Sequence, residues 1–120
     1  MAIAVITTKN TLATYYGAQG TWIGLATSNP GTVATPTAST EVTGGSPAYA
    51  RKQTTWGAAS GGAITGTAVT IDTPAATVTY IILASAAVVA TANMIDNALV
   101  TSVVMSGQGQ IVVTPTYTQT

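Results

Sequence analysis

The chain has no histidine, no cysteine and no phenylalanine among its 120 residues. Each absence closes a class of function. Without cysteine there is neither a secreted-type disulfide framework nor a thiolate metal site. Without histidine the commonest metal ligand and general base are gone. Charge is scarce as well. Lys9, Arg51 and Lys52 stand against Glu41, Asp72 and Asp96, so 5% of residues are charged and the formal net charge is zero. Three scattered positives cannot neutralise a phosphate backbone, so no nucleic-acid partner is expected. The most apolar window, Tyr80 to Ala90, is about half of the ~20 residues that a spanning helix needs, so no membrane partner is expected. In the first nine residues the apolar side chains precede the first positive charge, Lys9, the reverse of a secretory signal.

Catalytic constellations are missing too. Serine and threonine are abundant, but a hydroxyl nucleophile needs an adjacent base and an orienting acid. Glycoside hydrolysis needs two carboxylates across one bond, and calcium needs clustered oxygens. Glu41, Asp72 and Asp96 lie in three separate segments. Gly44-Gly45 and Gly61-Gly62 lack the Gly-Lys-Ser/Thr step of a phosphate loop and read as turns. The expectation is no enzyme, no cofactor and no metal.

Thr, Val and Ile run the length of the chain, punctuated by Gly and Pro, which argues for strands over helices. Ile3 to Thr8 reads as a first strand or an arm that adds to a neighbour's sheet. Asn10 to Gln19 is ambiguous: Thr11 could cap a helical turn holding Leu12, Tyr15 and Tyr16, with Gly17 as its stop. Strands are predicted at Trp22–Thr27, Tyr49–Trp56, Thr67–Thr73 (Val69 and Ile71 inward), Thr77–Leu83, Val100–Met105 and Ile111–Tyr117. Thr77–Leu83 is apolar on both faces and reads as a central strand. Ala84–Ala92 could be strand or helical turn, and Asn93–Asn97 a polar break. Ser106–Gln110 reads as a hairpin loop, and Pro115 marks the last strand as an edge. Residues 32–47 form a long loop without usable periodicity.

Short strands at this spacing predict an all-β fold. We expect a single-domain antiparallel β-sandwich over residues 1–120, jelly-roll or immunoglobulin-like. Residues 1–10 would be an arm or strand, with room for one short N-terminal helical turn. With no Phe and two Trp, the core must be Val, Ile, Leu and Tyr. So little charge makes a poor colloid, which argues that copies of the chain or a partner cover much of the surface. Abundant Thr, Ser, Asn and Gln offer the alternative of uncharged solvation. The candidate interface residues are Ile3, Val5, Ile6, Tyr49, Arg51 and Trp56. Arg51 could pair with Glu41 or Asp72 within the domain, or with a carboxylate on a neighbour. Trp22, Trp56, Tyr15, Tyr16 and Tyr49 could form an aromatic platform, or the tryptophans could fill the ends of the sandwich.

One stretch carries a family resemblance. Gly44-Gly45-Ser46-Pro47-Ala48-Tyr49-Ala50-Arg51 is followed by Trp56, by Ala58-Ala59-Ser60-Gly61-Gly62 and by a Thr/Val-rich strand. With the strand Thr21–Thr27 and the Pro/Gly/Thr-rich loop before it, this resembles a group of small tailed-bacteriophage virion structural proteins. The likeness covers Thr21 to Tyr80. Beyond Tyr80 an Ala/Val-rich segment stands where that group has a Phe- and Gly-rich one. The resemblance implies a virion component, as a capsid-decoration (cement) protein on the outer capsid surface or as a minor tail or tail-fibre protein. It also implies a homotrimer bound to the major capsid protein.

Overall fold

The structure, a computed structural model, describes residues 2–120. Met1 of the expected arm lies outside the described residues. Among the described residues a helix, α1 (Ile6–Gln19), is followed by eight strands. These are β1 (Trp22–Ala26), β2 (Lys52–Gln53), β3 (Ala63–Thr65), β4 (Val69–Thr73), β5 (Ala76–Ala84), β6 (Met94–Met105), β7 (Gly109–Val113) and β8 (Thr116–Thr118). Every strand pairing is antiparallel, and the fold is all-β and sandwich-like with one short helix.

The second half of the chain is one long bent ribbon. Ala63 opposes Thr118, Thr65 opposes Thr116, Val69 opposes Val113 and Thr73 opposes Gly109. Ala76 then opposes Met105 and Ala84 opposes Met94. The register therefore runs almost unbroken from β3/β8 through β4/β7 to β5/β6, with its tip at residues 85–93. Pro74 and Pro115 sit at the breaks, where a missing N–H interrupts a ladder at least cost. Ser106–Gln108 is accordingly not a hairpin loop: β6 pairs with β5 and β7 with β4, so this segment is the outer side of a bend. Residues 84–92, left between strand and helical turn, form neither beyond Ala84; they are the irregular tip. Of the expected break Asn93–Asn97, only Asn93 stays in the turn; β6 begins at Met94, and β5 supplies Met94, Asp96 and Asn97 with partners.

The four-stranded sheet has the order β2-β1-β5-β6. On one face Ile23, Leu25 and Leu83 join Val69, Ile71 and Val78 in the main core, with Tyr16, Trp56, Ile111 and Val113 packed against them. On the other face Ala26, Ile82, Ala84 and Met94 form a second cluster with Trp22 and Tyr80. β5 is thus the central strand, covered on both sides as its apolar residues predict. The long loop packs back against its own protomer. Val42 N–H donates to Leu25 O (3.0 Å), Met94 N–H to Ala34 O (2.9 Å) and Asn97 Nδ2 to Gly31 O (2.8 Å).

The N-terminus corrects the expectation most. Residues 6–8, read as strand or arm, are the first turn of α1. Four threonines and Gly17 make this a poor helix by propensity. It has no side-chain N-cap, no acid in its first turn and no base in its last. Thr11 does not cap it: its hydroxyl turns back to Thr7 O at 3.0 Å. Gly17 does not stop it either. A Cβ there would lie 2.8 Å from Ile64 Cδ1 and 3.1 Å from the Trp56 ring, so this glycine lets the helix seat against β3 and Trp56. Tertiary docking holds the helix.

Candidate functional site: a buried polar node and an open sandwich edge

Arg51 and Tyr49 converge on Glu41. Arg51 donates from Nε to Glu41 Oε2 and from Nη2 to Oε1, both at 2.8 Å. Tyr49 donates to Oε2 at 2.6 Å, and its own oxygen accepts Leu25 N–H at 2.9 Å. The remaining guanidinium nitrogen reaches the ribbon tip, donating to Ala86 O (3.0 Å), Val88 O (3.2 Å) and Asn93 Oδ1 (2.8 Å). Gly24 makes room, since a Cβ there would meet Tyr49 Oη at 2.8 Å and Glu41 Oε2 at 2.9 Å. The node ties together β1, the long loop, the Tyr-Ala-Arg segment and the tip.

Its electrostatics favour permanence. Burial first, then the Glu41 carboxylate, pushes the Tyr49 hydroxyl well above the usual tyrosine range. Burial disfavours the Arg51 charge, but the Glu41 hydrogen bonds and charge outweigh it, so its pKa rises. The result is a buried ion pair whose side-chain polar atoms are all partnered. Such a pair specifies geometry.

Of the candidate interface residues, Tyr49, Arg51 and Trp56 work inside the protomer. Arg51 is 2% exposed, which settles its pairing as intramolecular with Glu41. Trp56 is half-buried, donates Nε1–H to Gly20 O at 2.9 Å and meets Tyr16 edge-on. Tyr16 stacks on Tyr117 with ring centroids 3.6 Å apart and donates to Asp96 Oδ2 at 2.7 Å. Burial first and then Asp96 raise its pKa. Of the proposed aromatic platform only Tyr15 is largely exposed. Val5 and Ile6 are exposed, and Ile3 is partly so.

The two edges of the sheet differ. β2 is two residues long and carries Lys52, a guarded edge. β6 is twelve residues long, with Asp96 as its one charge and no proline. Leu99 and Val104 on it are each 72% exposed. Beside β6 the sandwich is open: an apolar slot of about 220 Å³ runs between Asp96–Val100 and Val113–Tyr117. Ile23, Leu83 and Trp56 reach its walls. Sequence reasoning missed Asn93, Asp96 and Leu99. Asn93 and Asp96 had been read as part of a polar break, and their partners lie 42 and 80 residues away.

Among the described residues no group of acids could hold a metal ion, and no helix is long and apolar enough to cross a membrane. No protein-family model, curated protein or solved structure matches this chain.

Proposed function

We propose that this chain is a non-enzymatic structural protein of a bacteriophage virion. In this reading it is a capsid-decoration (cement) protein that assembles as a homotrimer, binds the major capsid protein and stabilises the shell from its outer surface. The resemblance through Tyr49-Ala50-Arg51 supplies the virion. The observation that supports association is the long β6 edge with its exposed aliphatic residues on a surface almost without charge. An unpaired strand edge is a template for another chain, and many copies multiply a modest interface into shell stability.

The test is a cryo-EM reconstruction of the particle made by a phage whose genome encodes this chain. The expected result is density in many copies on the outer shell at three-fold or quasi-three-fold positions. Density confined to the tail would replace this reading with the minor-tail or tail-fibre one, and absence from the particle would remove both.

A further inference from the structure

We propose that the slot beside β6 is an acceptor for the N-terminal arm, Ala2-Ile3-Ala4-Val5, of a second copy of this chain. The arm would add to the β6 edge as a strand and place Ile3 and Val5 in the apolar slot. This deepens the self-assembly reading above and rests on it.

Four observations carry the assignment. The first is that the sandwich lacks a strand on one side only. β2 and β4 approach each other on the other side, whereas Asp96–Val100 and Val113–Tyr117 are spanned at one end by Tyr16 and otherwise stand apart, with Ile23 and Leu83 lining the slot between them. The second is size. About 220 Å³ is below the 300–1,000 Å³ typical of small-molecule sites, and suits one or two aliphatic side chains. The third is pattern. In an extended arm successive side chains alternate, so Ile3 and Val5 share a face while Ala2 and Ala4 share the other. Val5 is already extended (φ −84°, ψ 116°) and 60% exposed. Strand addition works this way, with main-chain bonds for affinity and pockets for alternate side chains. The fourth is length: four arm residues span about 13 Å and Asp96–Val100 about 16 Å.

The arm comes from another copy because of where α1 lies. Val5 O accepts Lys9 N–H at 3.1 Å, so Val5 is the cap at which the extended arm leaves α1. Asn10 Oδ1 accepts Gly62 N–H at 2.8 Å, at the far end of β3. Tyr16, at the slot, lies about 17 Å from Val5 along the helix axis. The arm therefore leaves its own protomer at the end away from its own slot. An arm-to-slot contact is head-to-tail, and such contacts form rings when the rotation closes.

The experiment measures native mass for the full chain, for a variant lacking residues 2–5, and for Ala98→Lys, which obstructs the slot mouth at an exposed position. The full chain is expected as a closed oligomer and both variants as monomers with unchanged circular dichroism. A peptide of residues 2–8 is then titrated into the arm-deleted protein carrying Trp22→Phe, with Trp56 emission as readout. It should shift that emission, and the peptide with Ile3→Asp and Val5→Asp should bind at least about tenfold more weakly, or 1.4 kcal/mol. A monomeric full chain, an arm-deleted oligomer of unchanged mass, or unmoved Trp56 emission would each overturn the proposal. The virion reading fails separately: an arm-dependent oligomer absent from the particle sinks that reading and leaves this one. Arm-deleted copies that still decorate the shell as the same trimer sink this one alone.

Discussion

Arg51 meets Glu41 through two parallel hydrogen bonds of 2.8 Å, with side-chain exposures of 0% and 8%. The pair lies in the segment that carries the virion resemblance, and it faces inward. Its third arm, on Ala86 O, Val88 O and Asn93 Oδ1, makes it a clamp on the ribbon tip.

Removing one partner of a buried pair strands the other. Arg51→Ala is expected to cost about 3–5 kcal/mol, read as a lower urea midpoint. Arg51→Lys should recover little, because an ammonium cannot reproduce a planar two-point contact and a third bond at once. A lysine variant within about 1 kcal/mol of the parent would show that charge alone matters here.

Gly24→Ala places a methyl against Tyr49 Oη and Glu41 Oε2. Overpacking of this kind costs about 1–3 kcal/mol. Combining it with Tyr49→Phe should give less than the sum of the two losses, since the phenylalanine removes one of the two oxygens in the way. Additive losses in that double-mutant cycle would mean that the glycine serves some other contact.

Alkaline pH probes the same node. The folded-state pKa of Tyr49 is raised, as is that of Tyr16. Their contribution is therefore complete below the unfolded tyrosine pKa of about 10 and is lost as pH rises above it. For Tyr49 the expected slope is up to about 1.4 kcal/mol per pH unit. Denaturant midpoints should be level below about pH 10 and fall beyond it, and Tyr49→Phe should flatten the decline. Equal stability on both sides of that point would contradict the assignment.

Leu99 and Val104 face solvent in the protomer, each 72% exposed. Replacing either with lysine should change folding stability by no more than about 0.5 kcal/mol. It should raise the solubility limit and shift light scattering toward smaller species, because charge on an edge strand blocks pairing. A large drop in melting temperature instead would show that these side chains belong to the protomer's own core.

Several features were readable from local chemistry. Val69 and Ile71 turn inward as their alternation requires. Gly44, Gly45, Gly61 and Gly62 all take positive φ at the turns they signal. Thr77–Leu83 is the two-faced centre of the sheet, and the strand class follows from Val, Ile and Thr. Each of these depends on a residue and its immediate neighbours.

Only the tertiary structure decided the rest, because the deciding partners are distant in sequence. A threonine-rich, uncapped segment becomes α1 when Gly17 lets it seat on Ile64 and Trp56. Met94–Asn97, most of the polar run, becomes strand when β5 pairs with it. Arg51 could have paired with Glu41, with Asp72 or with a neighbour's carboxylate, and the chain's path brought Glu41 and the ribbon tip to it. Low charge, legible in composition, raises the expectation of a covered surface without saying where. Which surface lies open, the β6 edge and its slot, depends on where the long ribbon bends and which strand it leaves without a neighbour.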